Sequence, residues 1–301
     1  MTTLILDTDR WIKRESRFDG FVLAASLAAL LGLAAYWLSG AQGAPPTLSL
    51  ALAATLATAA ATGAGALPVL FLRRISARTN DSMLGFSAGV MLAASIFSLI
   101  LPALAAATES TGSKLAGGLI TSTAVLLGGL LLLIMDRAVP HEHLIKGPEG
   151  MRTRNLARVW LFVFAITLHN VPEGLAIGVG IAGGGAASGL PLALGIGIQN
   201  MPEGLAVALA MLTLNYTPTR AVLIALATGL VEPLGGLLGA GIIGIGASLL
   251  PWGLAFAAGA MLFIISHEII PESHRNGHET FATVGLFAGF VLMMMFDTML
   301  G

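Results

Sequence analysis

Apolar runs of about twenty residues recur along almost the whole chain, and they restrict its fold more than any other feature. FVLAASLAALLGLAAYWL, at 21–38, is one of them. A hydrocarbon layer about 30 Å thick is crossed by a helix of about 20 apolar residues, which satisfies all of its own backbone hydrogen bonds. Nine such helices can be drawn, at about 19–38, 48–72, 83–106, 114–135, 159–183, 187–214, 219–246, 251–271 and 281–300. Only 10% of the residues are charged, against about 25% in a typical soluble domain, so the chain could not cover a water-facing surface. The expected fold is an all-α integral membrane protein, a single transmembrane domain at 19–301 behind a polar segment at 1–18, with one sizeable polar loop at 136–158.

The charges test that drawing. If 1–18 lies in the cytoplasm, alternation puts 73–82, 136–158, 215–218 and 272–280 there as well. Those segments, with the adjoining span ends, hold 14 of the 15 Lys and Arg residues; Lys114 alone falls outside. Cytoplasmic loops carry the excess of basic residues, so the N-terminus is expected in the cytoplasm and the C-terminus outside. The membrane is read as a bacterial cytoplasmic membrane. A cleaved signal peptide is the alternative for 10–45. The 18-residue apolar stretch exceeds the usual signal core of about 7–15 residues and ends in the interfacial pair Tyr36 and Trp37, which favours a retained helix. A net charge of −1 gives no reason to expect a nucleic-acid partner, and the absence of Cys excludes disulfides, thiolate metal sites and a cysteine nucleophile. A homodimer is compatible with the 38 glycines, but small-residue surfaces are too common here to mark its face.

Ionisable groups at membrane depth are costly and usually functional. By span position the deep ones are His169, Glu173, Glu203 and Glu232, joined by the amides Asn170, Gln199 and Asn200. They fall in a duplicated motif, HNVPEGLAIGV from 169 and QNMPEGLAVAL from 199, on consecutive antiparallel helices at similar depth. At about 100° per residue, Glu173 lies on its helix face between His169 and Asn170, and Glu203 lies likewise between Gln199 and Asn200. Opposed, the two faces would make two adjacent pockets. His169 and Gln199 would line one, Asn170 and Asn200 the other, with both glutamates bridging and Glu232 completing the second. Imidazole, carboxylate and amide oxygens suit borderline divalent metals such as zinc. Pro172, Pro202 and Pro233 each free a backbone carbonyl, as the broken helices of transporter sites do. Single deep amides are often interhelical hydrogen-bonding groups; it is the duplication that argues for a site.

The leading reading is a divalent-metal transporter, with no bound cofactor beyond the transported ion. An exporter or proton-coupled antiporter could use the same ligands. An intramembrane metalloenzyme is disfavoured, because HEIIP at 267–271 places Pro where H-E-x-x-H needs its second His. The chain is therefore not expected to be an enzyme.

HNVPEG and QNMPEG on consecutive helices, with GLVEPLGGLLGAG and SHEIIPESHRNGHET on the next two, resemble the ZIP (Zrt-/Irt-like protein) metal transporters, in particular their bacterial GufA-like branch. The resemblance covers about 48–301, and the helix at 19–38 is additional to the family's eight. It implies a transport site on His169, Glu173, Gln199 and Glu203. It implies an auxiliary metal position on Asn170, Glu173, Asn200, Glu203 and Glu232. It also implies zinc as the main cargo, with cadmium and sometimes iron or manganese, moved into the cytoplasm by one helix bundle sliding against another. Two positions depart from the pattern: many relatives have His where Gln199 stands, and close relatives can have Asp where Asn200 stands. Loss of that charge should weaken the auxiliary position most.

Further metal handling is expected of His267 and Glu268, and of His141, His143 and Asp136 in the polar loop, as a release path. His278 and Glu279 read instead as a solvated helix end. Asp297 either draws cations to the outer entrance or is an interfacial carboxylate; Met91 and Ser98 resemble pathway-lining positions. Asp81 is expected to cap its helix and pair with a nearby Arg.

Overall fold

The computed structural model describes residues 46–72, 75–138 and 151–300, the side chains of 136–138, 151–158 and 161 excepted. The expected helix at 19–38 and the loop histidines His141 and His143 lie outside these residues, as does the side chain of Asp136.

Every described element is helical. Helix α1 (Pro46–Ala66) ends in a 3-10 turn, Leu67–Leu70. Helix α2 (Ala77–Ala93) passes through a π-helical segment, Ala94–Ile100, into α3 (Leu101–Thr111), and α4 is Lys114–Ala138. Helix α5 (Met151–Thr213) is followed by the half-helices α6 (Pro218–Gly229) and α7 (Glu232–Ile245). Helix α8 (Leu250–Ile264) runs through a second π segment, Ile265–Ile269, into the short α9 (Ile270–His274), and α10 is Glu279–Leu300.

Among the described residues, seven helical stretches are long and apolar enough to cross a membrane, one fewer than the eight drawn there from sequence. The difference lies in α5, whose apolar part spans 52 residues. At about 1.5 Å per residue a straight helix of that length would overshoot the hydrocarbon layer more than twofold. At Gly185 the backbone turns through φ 68°, ψ −157°, a conformation open essentially to glycine alone. Gly180 then lies against Gly189, and Glu173 meets Gln199 across the fold. The helices expected at 159–183 and 187–214 are thus the two antiparallel arms of one hairpin, joined by a single glycine instead of a loop.

The two π segments have a common cause. Pro102 and Pro271 stand at the start of the helices that follow them. Each lacks an N–H and would clash with the carbonyl four residues back, at Ser98 and His267. Widening the helix by one residue relieves that clash, and such bulges recur at functional sites.

Helix α1 packs against α5 and against α6 and α7; α2 packs along α10, and α4 along α8. Leu115, Leu119, Leu126 and Leu130 on α4, with Val284, Phe287 and Val291 on α10, are exposed, as surfaces facing lipid tails would be. Asp81 departs from expectation. Ser76 caps α2 by accepting from the Thr79 N–H, and Asp81 sits one turn inside the helix, fully buried. It accepts from Asn276 Nδ2 at 2.8 Å and lies 2.9 Å from His278 Nδ1, so it ties the α9–α10 turn to α2 instead of pairing with Arg. His278, expected to be solvated, is a partner in this contact.

Candidate metal centre

The duplicated motif lies where the two α5 arms run side by side. Pro172 and Pro202 sit inside the arms, each relieving the chain of one helical hydrogen bond beside the polar residues. The glycine closing each motif has a packing reason. A Cβ at Gly174 would lie 2.0 Å from the Glu232 carbonyl oxygen, and one at Gly204 would lie 1.9 Å from that of Thr62. The first arm thus touches the start of α7, and the second arm touches α1, backbone to backbone.

Between α6 and α7 the helix breaks at Leu230 and Val231, just before Pro233. The break leaves the Thr228 carbonyl to accept from Asn170 Nδ2 at 2.7 Å. It also places Glu232 in the first turn of α7, where the helix dipole favours negative charge.

Gln199 Nε2 donates to Glu173 Oε1 at 2.6 Å and joins the two arms. Ser87 on α2 donates to the Gln199 carbonyl at 2.8 Å. Asn200 Nδ2 donates to Glu232 Oε1 at 2.8 Å, and the Thr58 hydroxyl of α1 donates to Glu232 Oε2. His169 Nε2 approaches Glu268 Oε2 at 3.0 Å, out of line for a hydrogen bond. His169 is 2% exposed and Glu268 31%, so this pair leads from the buried centre towards solvent.

All seven predicted residues, His169, Asn170, Glu173, Gln199, Asn200, Glu203 and Glu232, are buried together. Their partnering is uneven. Among the described residues, the buried side-chain atoms lacking a hydrogen-bond partner are both His169 ring nitrogens, Glu173 Oε2, Gln199 Oε1 and both Glu203 oxygens. Buried polar groups are ordinarily satisfied, so six orphan donor and acceptor atoms in one place mark a centre built to hold something other than protein. Three of them belong to His169 and Gln199, the pair expected to line the first pocket, and three to Glu173 and Glu203, the glutamates expected to bridge both. In the second expected pocket, Asn170 turns to Thr228 and Glu232 is fully engaged. Among the described residues no three His, Cys, Asp or Glu side chains already converge as a metal cage; Gln199 is an amide and His169 leans towards Glu268.

A cavity of about 520 Å³ opens between α2, both α5 arms and α9, lined by Asn80, Val159, Phe162, Leu209, Glu272 and Arg275 among others. Glu272 is one helical turn beyond Glu268, so the cavity continues the line from His169. Of the residues expected on a release path, Glu268 lies beside His169, and His267 stacks on Phe263 with ring centroids 4.9 Å apart. Asp297 accepts from Ser98 of the π segment at 2.7 Å, and Met91 is wholly buried in the core. Sequence reasoning missed Thr58, Ser87 and Thr228. Hydroxyl residues inside apolar helices commonly bond their own backbone, and only their neighbours across the fold distinguish these three.

The ZIP zinc transporter family model matches residues 146–297. Zinc transporter ZIPB of Bordetella bronchiseptica is 53% identical over 242 residues, covering 80% of this chain and 78% of its own length. The chain belongs to the ZIP zinc transporter family. Zinc transporter GufA of Myxococcus xanthus is 46% identical to this ZIP chain over 250 residues, covering 83% of the chain and 98% of GufA. Zinc transporter ZIP11 of Homo sapiens is 33% identical over 332 residues, covering 83% and 97%. ZIP proteins are transporters, not enzymes.

Proposed function

We propose that this chain carries divalent transition-metal ions, zinc foremost and cadmium, iron or manganese with it, into the cytoplasm across a bacterial cytoplasmic membrane. The ion is held by His169, Glu173, Gln199 and Glu203. The observation that carries this reading is the set of orphan atoms these four side chains share in the buried centre. Two carboxylates offset the ion's charge where water is scarce, and an imidazole with amide oxygen suits zinc without holding it as tightly as a structural site would.

Orientation follows from the basic residues: the N-terminus is cytoplasmic and the C-terminus external. Arg275 lines the 520 Å³ cavity, which supports reading that cavity as the inner vestibule. An ion leaves His169 towards Glu268, then Glu272, and enters it. Passage from the other face is governed by motion. Helix α1, the α5 arms, α6 and α7 form one carrier body, supported by their mutual packing, and the remaining helices form the frame along which it slides.

The test is zinc and cadmium uptake into proteoliposomes by the native chain, His169→Ala and Glu203→Ala. Saturable uptake that either substitution abolishes is the expected result. Uptake indifferent to both would move the pathway elsewhere, and metal flux strictly tied to counter-moving protons would replace passive import by antiport.

A further inference from the structure

We infer that Asn200 takes the place of the auxiliary metal in this chain, clasping Glu232 through its amide, so that the carrier body holds one ion and not a pair. The inference rests on the ligand set proposed above for the first pocket.

The hydrogen bonds divide the centre in two. Glu232 Oε1 accepts from Asn200 Nδ2 at 2.8 Å and Oε2 accepts from the Thr58 hydroxyl. Asn200 Nδ2 also faces the Thr58 carbonyl at 3.4 Å, and Asn200 Oδ1 accepts from Gln199 Nε2 at 3.4 Å. Both polar atoms of Asn200 and both oxygens of Glu232 thus have protein partners. Among the described residues every orphan atom lies instead on His169, Gln199 and the two bridging glutamates, Glu173 and Glu203, and none lies on Asn200 or Glu232.

An amide nitrogen offers protons and no lone pair. A cation between Asn200 and Glu232 would meet the positive edge of that amide and would have to break a bond that satisfies a buried carboxylate. An Asp at 200 would reverse the situation. Two carboxylates would face each other across the same gap, beside Glu173 and Glu203, and would need a metal ion or a shared proton between them. One nitrogen in place of one oxygen therefore changes the cross-link from metal to hydrogen bond. The clasp joins Thr58 of α1, Asn200 of the second α5 arm and Glu232 of α7, three elements of the carrier body, with no second ion.

Zinc stoichiometry of the purified full-length protein in lipid nanodiscs, by calorimetric titration and elemental analysis, tests this. The native chain should bind one zinc, and His169→Ala should bind none. Asn200→Asp should bind two, and its metal-free Tm should fall by about 5 °C and recover with zinc. Glu232→Gln keeps an acceptor for Asn200 and removes a charge that the inference says is no ligand; it should bind one zinc with Kd within about threefold of native. Two zincs in the native chain, one zinc in a folded Asn200→Asp, or a tenfold loss of affinity in Glu232→Gln would each overturn the inference. Zinc binding that survives His169→Ala would overturn the first-pocket reading instead.

Discussion

Replacing Gly174 by Ala tests the claim that the motif glycine exists for helix contact. Its Cβ would stand 2.0 Å from the Glu232 carbonyl oxygen and 2.7 and 2.8 Å from the Glu232 C and Cα atoms, all main-chain atoms. Ordinary contact begins at 3.4 Å, so α7 must retreat by about 1.4 Å at its first turn. The Asn200–Glu232 bond, now 2.8 Å, cannot follow such a shift and remain within hydrogen-bonding range. Overpacking of this kind costs about 1–3 kcal/mol; passed on to the metal pocket, it weakens zinc about 5- to 150-fold. Scanning fluorimetry and zinc titration of the purified protein measure both effects. Gly118→Ala is the control: nothing lies within 4 Å of its Cβ, and in a helix Ala outranks Gly, so its Tm should hold or rise. A Gly174→Ala protein with native Tm and native zinc affinity would refute the backbone-contact argument.

Asp81→Ala should cost about 2 kcal/mol or more, because the Asn276 amide and His278 lose a buried carboxylate partner; the fall in Tm measures it, and an unchanged Tm would deny the tie between α2 and the α9–α10 turn a structural role. Zinc affinity should fall as pH is lowered. Imidazole and carboxylate ligands must be deprotonated to bind, so each zinc bound displaces protons, and a titration series between about pH 5.5 and 8 should show affinity rising with pH in the native chain; an affinity that ignores pH would deny imidazole and carboxylate a place among the ligands.

The all-helical, membrane-spanning class, the apolar stretches of the described helices and the burial of the seven residues of the centre were legible in the sequence. Apolar run length and the 3.6-residue period are local properties, and a carboxylate at membrane depth is conspicuous wherever the chain goes. That the motif is written twice even foretold two facing arms, which the Glu173–Gln199 bond joins. Asp81 shows the limit of such reading: next to a helix start and arginines it looks like a cap, yet its partners Asn276 and His278 are 195 and 197 residues away. Thr58 and Ser87 carry no local mark at all.

What the tertiary structure alone decided is which polar atoms are satisfied. Sequence places Asn170, Asn200 and Glu232 as a second metal pocket as readily as His169, Gln199 and Glu203 as a first. The fold distinguishes them, because the Thr228 carbonyl at the end of α6 and the hydroxyl of Thr58 arrive from elsewhere in the chain and engage the Asn170 amide nitrogen and Glu232, while His169, Gln199 and Glu203 keep lone pairs unshared. Hydrogen-bond saturation is a property of three-dimensional neighbours, and in a centre without bulk water it governs where a cation can lodge.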